Sequence, residues 1–330
     1  MPMFVVTGAN GFIGSVLVKE LNLNLQESEI ICTDYIGLGE RPGPLSHCQY
    51  SRFVDADEFL QQLTTDADLK NAKAFFHMGA CSSTTELNEG YLKRINTDYT
   101  KTLFQFCAKN NIPFIYASSG ATYGDGHLGF DDQHELCKKL QPLNPYGWSK
   151  LNFDNWALTE GLKNPPPRWY GLRFFNVYGP NEYHKDDMSS VVFKAYHQIQ
   201  SSKKLKLFRS HNSNYQDGKQ LRDFIYVKDI VRWMVEFYQL QNVQSGIYNM
   251  GTGVARTWLD LAENVFQQLN VPMQIDWIDI PSGLRERYQY YTQAKIEKLK
   301  SQGLSSPQWS LERGIGDYLK NYLLNPDPYI

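Results

Sequence analysis

A strand-like apolar run near the start of the chain leads directly into three evenly spaced glycines. The run Met3–Thr7 precedes the pattern G-x-x-G-x-x-G, and a helix-like stretch starts at Ser15. Gly8 permits a tight turn, and Gly14 allows the helix to pack closely on the strand. Because a tight strand–turn–helix unit leads into a right-handed crossover, this segment predicts the first βα unit of a parallel sheet.

The first half of the chain repeats this alternation of short apolar runs and amphipathic stretches. Apolar residues recur at three- and four-residue spacing in the helix-like stretches. The pattern predicts an α/β fold, a doubly wound parallel sheet of the Rossmann type with helices on both faces. The predicted strands are Met3–Thr7, Glu29–Asp34, 74–78, 114–118 and 168–174, and the predicted helices lie near 15–23, 91–109 and 146–162.

The glycine pattern also predicts a ligand. Gly11 lets the backbone approach a pyrophosphate, and the positive end of the following helix faces its charge, so a dinucleotide is expected here. Asp34 ends the second strand about twenty residues later, where an acid takes the ribose hydroxyls and favours NAD. Arg41 follows, and an arginine there would neutralise a 2′-phosphate and admit NADP. Spacing alone leaves both dinucleotides open.

The alternation of strand-like and helix-like segments becomes irregular after Asn176, which predicts a smaller, mixed α/β domain that holds the substrate. Its strand-like pieces are 206–208, 224–227, 246–249 and 274–278. We expect a dinucleotide-binding domain over 1–175 together with about 221–250, and a substrate domain over 176–220 and 251–330.

Composition narrows the function classes. The formal net charge of -2 and the lack of a long Lys/Arg run give no reason to expect nucleic acid or an anionic membrane as partner. The five cysteines are odd in number and form no C-x-x-C pair, so neither a disulfide framework nor a metal site is expected. No secretory signal or membrane span is apparent, and the prediction is a cytoplasmic protein that acts on a small molecule.

Two segments carry candidate catalytic residues. Tyr146 and Lys150 are four residues apart on a predicted helix, so their side chains share one face. A nearby ammonium should lower the pKa of a phenol and make it a usable base. Ser119, at the end of a predicted strand, is placed to orient the same substrate oxygen. Together with the glycine loop, this set is typical of short-chain dehydrogenases, which oxidise an alcohol while nicotinamide accepts hydride.

Several longer runs resemble one family of extended short-chain dehydrogenases/reductases, the ADP-L-glycero-D-manno-heptose 6-epimerases. The runs are 77–86 (HMGACSSTTE), 174–180 (FFNVYGP), His184-Lys185, 222–227 (RDFIYV), 249–253 (NMGTG) and 287–289 (RYQ). The resemblance implies inversion of C6 in an ADP-linked heptose of lipopolysaccharide core, through a transient 6-ketone with nicotinamide retained. It assigns one face of the ketone to Tyr146 and the other to Lys185, and it implies a homo-oligomer, a pentamer.

The resemblance also assigns contacts, and it favours NADP because Arg41 stands where the family has a lysine for the 2′-phosphate. The implied cofactor contacts are Gly8, Gly11, Phe12, Ile13, Gly14, Asp34, Tyr35, Arg41, Met78, Gly79, Ala80, Cys81, Ser82, Asn96, Lys150, Val177 and Lys185. The implied substrate contacts are Asn176, Asp187, Lys194, Phe208, Arg222 and Tyr288. Two alternatives stay open: an epimerase of another nucleotide-linked sugar, and a non-catalytic nucleotide-sugar-binding protein of the same fold.

Overall fold

A parallel β-sheet forms the centre of the computed structural model, which describes residues 2–25, 28–39, 43–285 and 288–330. The strands of these residues are β1 (Met3–Thr7), β2 (Glu29–Asp34), β3 (Arg52–Asp55), β4 (Ala74–His77), β5 (Phe114–Ser119), β6 (Trp169–Phe174), β7 (Asn176–Tyr178), β8 (Leu205–Phe208), β9 (Leu221–Tyr226), β10 (Gly246–Met250), β11 (Ala255–Thr257) and β12 (Ile275–Ile278). The helices are α1 (Phe12–Asn24), α2 (Ala56–Thr65), α3 (Glu89–Leu92), α4 (Tyr99–Lys109), α5 (Pro145–Ala157), α6 (Val191–Ser202), α7 (Val227–Gln239), α8 (Trp258–Gln268), α9 (Ser282–Arg285), α10 (Glu297–Ser301) and α11 (Leu311–Tyr318).

In the large sheet, strands are added first on one side of β1 and then on its other side. Among the described residues its seven strands lie in the order β10-β6-β5-β4-β1-β2-β3, all parallel. The chain adds β2 and β3 on one side of β1, then returns to add β4, β5 and β6 on the other side. A crevice opens at such a switch point, beyond the carboxyl ends of the two strands, and this is where ligands bind in open α/β sheets. The predicted Rossmann-type sheet is confirmed.

Both faces of the sheet are covered, which follows from the continuous apolar runs of its strands. Successive residues of β1 point to opposite faces: Phe4 and Val6 belong to one buried core, and Val5 belongs to the other. The first core includes side chains of α1, α7, α8 and α11. The second core includes side chains of α2, α4 and α5.

The remaining strands form two small sheets beside the cleft. The order β11-β9-β7 has β7 parallel and β11 antiparallel to β9, and β12 pairs with β8 in parallel. The strand predicted at 224–227 therefore lies in a small sheet, whereas the strand predicted at 246–249 completes the large one. The boundaries of the two predicted domains stay a prediction.

Two predicted helices have different ends from those expected. The stretch predicted as one helix over 91–109 consists of α3, a π-helical turn at Lys93–Asp98 and α4. Helix α5 begins at Pro145, where Asn144 caps it by accepting from the amide of Gly147 at 2.8 Å, and it ends at Ala157 rather than 162. None of the helices in the described part of the chain has the length and apolar composition that crossing a bilayer requires.

Candidate active site

A cleft of 610 Å³ opens at the carboxyl ends of β1, β4, β5 and β6. The glycine loop lines one part of it, and Ser119, Tyr146 and Lys150 line another. A second cavity of 190 Å³ shares Gly8, Asp34 and several neighbouring residues with the cleft. Of the predicted cofactor contacts, all but Tyr35, Arg41 and Asn96 line the cleft; Tyr35 lines the second cavity, and Arg41 lies outside the described residues.

The glycine loop brings the ends of β1 and β4 into backbone contact. Gly8 has a φ of 67°, and a Cβ atom at this position would lie 2.4 Å from the amide nitrogen of Gly79. A Cβ atom at Gly14 would lie 2.0 Å from the carbonyl oxygen of Gly8, so the helix also requires glycine to pack this closely. Among the described residues no side chain caps the first amides of α1, which leaves them directed at the cleft. This loop fits the pyrophosphate of a dinucleotide.

Asp34 lies on the wall of both cavities, at the end of β2. Its carboxylate accepts hydrogen bonds from the amides of Asn10 at 2.9 Å and Ile36 at 3.1 Å. Burial raises the pKa of Asp34, and these backbone hydrogen bonds oppose the shift. The neighbouring Tyr35 donates its hydroxyl hydrogen to Asp57 at 3.0 Å. The carboxylate is thus held at the position predicted for a ribose contact.

The segment after β4 is held from behind by Asn96, which lies in the π-helical turn. The Asn96 side chain accepts from the amide of Cys81 and donates to the carbonyl of Cys81, both at 2.9 Å. It also donates to the hydroxyl of Ser149 on α5 at 2.9 Å. Asn96 does not line the cleft, so in the structure it supports the predicted cofactor segment through Cys81.

His77, at the end of β4, is buried beneath this segment. The Thr100 hydroxyl donates to the carbonyl of Asn96 at 2.7 Å, so its oxygen accepts from Nε2 of His77 at 2.9 Å. The Thr7 hydroxyl then donates to Nδ1 at 2.5 Å. Burial lowers the pKa of His77 to about 3, which keeps the ring neutral. No group of three or more His, Cys, Asp and Glu side chains in the described ranges is arranged to hold a metal ion.

Ser119, Tyr146 and Lys150 meet at the floor of the cleft, as their positions in the sequence predict. Ser119 ends β5, and Tyr146 and Lys150 stand one turn apart on α5. Tyr146 is 9% exposed and Lys150 is 4% exposed, so both functional groups are shielded from bulk water. The Lys150 ammonium donates to the carbonyl of Ala117 at 2.8 Å.

The pKa of Tyr146 is shifted in the direction opposite to the expected one. Burial raises it, and a hydrogen bond with the Ser119 hydroxyl opposes the shift. Burial also lowers the pKa of Lys150 to about 8, against the attraction of Asp154. The expected lowering rested on the charge of the ammonium alone, whereas loss of water is the largest effect on both groups.

A buried ion pair behind Lys150 was not predicted. Asp154 and Arg173 are both fully buried, and Nη2 of Arg173 lies 2.9 Å from Oδ2 of Asp154. Asp154 also accepts from the hydroxyls of Tyr116 at 3.0 Å and Ser118 at 2.9 Å. The signal in the sequence was the position of Asp154, one helical turn after Lys150 on the same face.

The second predicted acid/base, Lys185, reaches the cleft from the loop after β7. It lies in a 3₁₀ turn at Tyr183–Met188, and its ammonium is 5.5 Å from the centre of the Phe12 ring. Burial lowers the pKa of Lys185, and the carboxylate of Glu182 opposes the shift. The structure therefore brings Tyr146 and Lys185 to the same cleft from different elements. His184, which was not predicted to line the site, also lines it.

Of the six predicted substrate residues, Asn176 alone lines the cleft, whereas Phe208, Arg222 and Tyr288 form a cluster beside it. Arg222 lies with its guanidinium carbon 5.5 Å from the ring centre of Trp258 and 5.2 Å from that of Tyr288, and Phe208 contacts Tyr288 at 6.3 Å between ring centres. Trp258, which sequence reasoning missed, lines the cleft and donates to the Tyr288 hydroxyl at 2.9 Å.

The last two predicted substrate residues form a separate pair that also lies outside the cleft. Lys194 donates to the carbonyl of Asp187 at 2.6 Å, and neither residue lines the cleft.

Comparison with known proteins agrees with this geometry. The chain matches the NAD-dependent epimerase/dehydratase family over residues 4–251. It is 44% identical to the ADP-L-glycero-D-manno-heptose-6-epimerase of Fusobacterium nucleatum, with 99% of this chain and 100% of that protein aligned. It is 43% identical to the protein of the same name from Nitratidesulfovibrio vulgaris strain DP4, with 99% and 100% aligned. The crystal structure of the Helicobacter pylori ADP-L-glycero-D-manno-heptose-6-epimerase superposes with a TM-score of 0.80 at 28% identity, covering 97% of this chain and 96% of that one.

Proposed function

The chain belongs to the NAD-dependent epimerase/dehydratase family, and we propose that it inverts C6 of ADP-glycero-manno-heptose. The relatives named for this reaction align over almost their whole length with this chain. The observation that carries the proposal is the meeting of a dinucleotide loop, the Ser119–Tyr146–Lys150 set and Lys185 in one cleft.

The first half of the proposed reaction is oxidation of the C6 alcohol to a ketone. A bound nicotinamide supplies the hydride acceptor for this half and the hydride donor for the return. Tyr146 acts here in its phenolate form, which takes the proton of the C6 hydroxyl and becomes the phenol, and the Ser119 hydroxyl orients the same substrate oxygen. Lys150 is anchored by the Ala117 carbonyl, and its ammonium form supplies the positive charge that stabilises the Tyr146 phenolate before this proton transfer.

The second half returns hydride to the opposite face of the ketone, so a proton donor is required on that side. Lys185 reaches the same cleft from the loop after β7, independently of α5. Its lowered pKa makes the ammonium a stronger acid than a lysine in water, which suits donation to the C6 oxygen. Inversion in this proposal therefore uses Tyr146 for one face and Lys185 for the other.

The proposed dinucleotide is NADP, with NAD as the alternative. Arg41, at the position that the resemblance assigns to the 2′-phosphate, supports NADP. The negative charge of Asp34 supports NAD, because a 2′-phosphate beside it would be repelled. The dinucleotide released when the purified protein is denatured decides between them: NADP supports the proposal, and NAD contradicts it. A cytoplasmic location and assembly into a homo-oligomer, a pentamer, belong to the same proposal.

The function is tested by incubating purified protein with ADP-D-glycero-manno-heptose and following the C6 configuration by proton NMR. Appearance of the L-glycero epimer without added cofactor supports both the reaction and a retained dinucleotide. If no epimer forms even with NADP or NAD added, the heptose proposal is contradicted, and other nucleotide-linked sugars are tested next.

The Tyr146→Phe variant tests the catalytic role separately. It removes only the hydroxyl, so we expect inversion to fall by at least about 100-fold while the dinucleotide stays bound. Unchanged turnover in this variant would contradict the assignment and favour a nucleotide-sugar-binding protein. Tyr196→Phe, which changes a hydroxyl on α6 that donates to Leu323 at 2.7 Å, is the matched control.

A further inference from the structure

The segment 325–330 lies against the turn that carries Lys185. The Tyr183 hydroxyl donates to the carbonyl of Pro328 at 2.6 Å. The Tyr329 ring meets the Tyr183 ring edge to face, with 5.4 Å between ring centres. Tyr183 is two residues before Lys185 in the same 3₁₀ turn, so the segment contacts the turn directly.

The same segment contacts the start of this loop at Asn181, which is fully buried. The amide of Ile330 donates to the side-chain oxygen of Asn181 at 3.2 Å. The side-chain nitrogen of Asn181 donates to the hydroxyl of Ser15 on α1 at 2.9 Å and to the carbonyl of Pro44 at 3.1 Å. Asn181 thus joins the segment to the helix that follows the glycine loop.

The turn itself has a backbone that needs support. Asp186, directly after Lys185, has φ 43° and ψ -121°, and Asn181 has φ 73°. Side-chain-bearing residues rarely adopt positive φ, and such conformations persist when the surrounding structure fixes them. Within the turn, the amide of Lys185 donates to Glu182 at 3.1 Å and that of Ser189 to Asp186 at 3.1 Å. These bonds close the turn, and the Glu182 carboxylate ties it to the residues on either side.

We propose that the segment 325–330 fixes the position of Lys185 over the cleft, with Tyr183 and Tyr329 as positioning residues for the second acid/base. The inference rests on the proposed function for the role of Lys185. Tyr183 and Tyr329 do not line the cleft, so they act through the turn and not on the substrate. Loosening their contacts leaves Tyr146, on α5, in place and displaces the group that serves the other face.

The test uses Tyr183→Phe, which removes the hydrogen bond to Pro328 and keeps the ring, and Tyr329→Ala, which removes the ring contact. For both variants we expect kcat of inversion to fall about tenfold or more with KM unchanged, because small displacements of an acid/base cost large factors in rate. Reduction of the bound nicotinamide on adding substrate, which uses Tyr146, should keep its wild-type amplitude. Tyr196→Phe removes a similar bond from a tyrosine hydroxyl to a backbone carbonyl outside this turn and should behave as wild type.

Amide hydrogen exchange tests the inference without the reaction. We expect the amides of Lys185 and Ser189 to exchange faster in Tyr183→Phe and Tyr329→Ala than in the wild type, with exchange in α5 unchanged. Wild-type exchange at these amides, or wild-type kcat in both variants, overturns the inference. A wild-type protein that fails to invert the heptose while the variants still show faster exchange contradicts the proposed function and leaves the contact of the segment with the turn established.

Discussion

Burial decides the protonation of the side chains at the floor of the cleft and of His77 beneath it. It raises the pKa of Tyr146, lowers that of Lys150 to about 8 and lowers that of His77 to about 3. In each case removal from water favours the neutral form. For His77 the hydrogen bonds to Thr7 and Thr100 use both ring nitrogens, so the neutral ring is also the form that joins β1 to α4.

The low pKa of His77 predicts a loss of stability in acid. The ring binds a proton in the unfolded chain near pH 6.5 but in the folded protein only near pH 3, so stability is complete above the first value and decreases as the pH falls toward the second. At about pH 5 the expected loss from this group is roughly 2 kcal/mol of unfolding free energy.

Urea unfolding of the wild type and of His77→Asn at about pH 7 and about pH 5 measures this effect. We expect the free energy of unfolding to change less between the two pH values in the variant than in the wild type, by the loss attributed to His77. His134, whose pKa burial lowers to about 4, contributes in the same direction, so the variant must be compared with the wild type. His127→Asn, at an exposed position, is the control and should keep the wild-type difference. An equal difference in His77→Asn contradicts the prediction.

The π-helical turn between α3 and α4 is the element that adapts the fold to the cleft. A regular helix over the same residues would place Asn96 at a different angle, because the turn contains an additional residue. In the structure Asn96 bonds both backbone groups of Cys81 and the hydroxyl of Ser149. The turn therefore couples the segment after β4, which is predicted to contact the cofactor, to the helix that carries Tyr146.

We expect Asn96→Ala to weaken dinucleotide binding about tenfold or more, because the Cys81 backbone loses two hydrogen-bond partners and becomes free to move. The dissociation constant of NADP and of NAD, measured by calorimetry on protein freed of dinucleotide, checks this. Asn110→Ala, at the other end of α4, removes one bond to the carbonyl of Phe106 at 2.8 Å and should leave binding unchanged. Wild-type affinity in Asn96→Ala would show that the segment holds its position without this side chain.

The molecule as a whole is organised around the sheet, and its buried charges join the layers. Asp154 on α5 reaches Arg173 on β6 and the hydroxyls of Tyr116 and Ser118 on β5. Since a buried charge is tolerated only with partners, this cluster requires α5 to lie at one position on the sheet. That position also places Tyr146 and Lys150, on the same helix, beside the end of β5.

Removing one partner of the pair should therefore destabilise the whole protein. We expect Asp154→Ala to lower the free energy of unfolding by about 3–5 kcal/mol, because it leaves the Arg173 charge buried without its carboxylate. Urea unfolding followed by tryptophan fluorescence measures the change. Glu160→Ala breaks an exposed pair with Lys163 near the end of the same helix region and should have little effect. A similarly small effect in Asp154→Ala would mean that the pair is dispensable.

The elements that the sequence predicted are those whose own residues carry the signal. The strands Met3–Thr7 and Glu29–Asp34 have the expected bounds, since continuous apolar runs bury on both faces of a parallel sheet. The short strands β3, β7 and β11 were missed, because three or four residues carry too little periodicity and a neighbouring strand decides their conformation. The helix 91–109 was predicted without its π-helical turn, which no pattern of apolar spacing reveals.

The glycine loop, the first two strands and the pairing of Tyr146 with Lys150 could be predicted from the sequence, because each depends on residues that are close together in the chain. Three features could be found only in the folded chain: the direction of the pKa shift of Tyr146, the ion pair between Asp154 and Arg173, and the contact of segment 325–330 with the turn of Lys185. These depend on how much water is excluded and on which distant segments meet, and both follow from packing the whole chain.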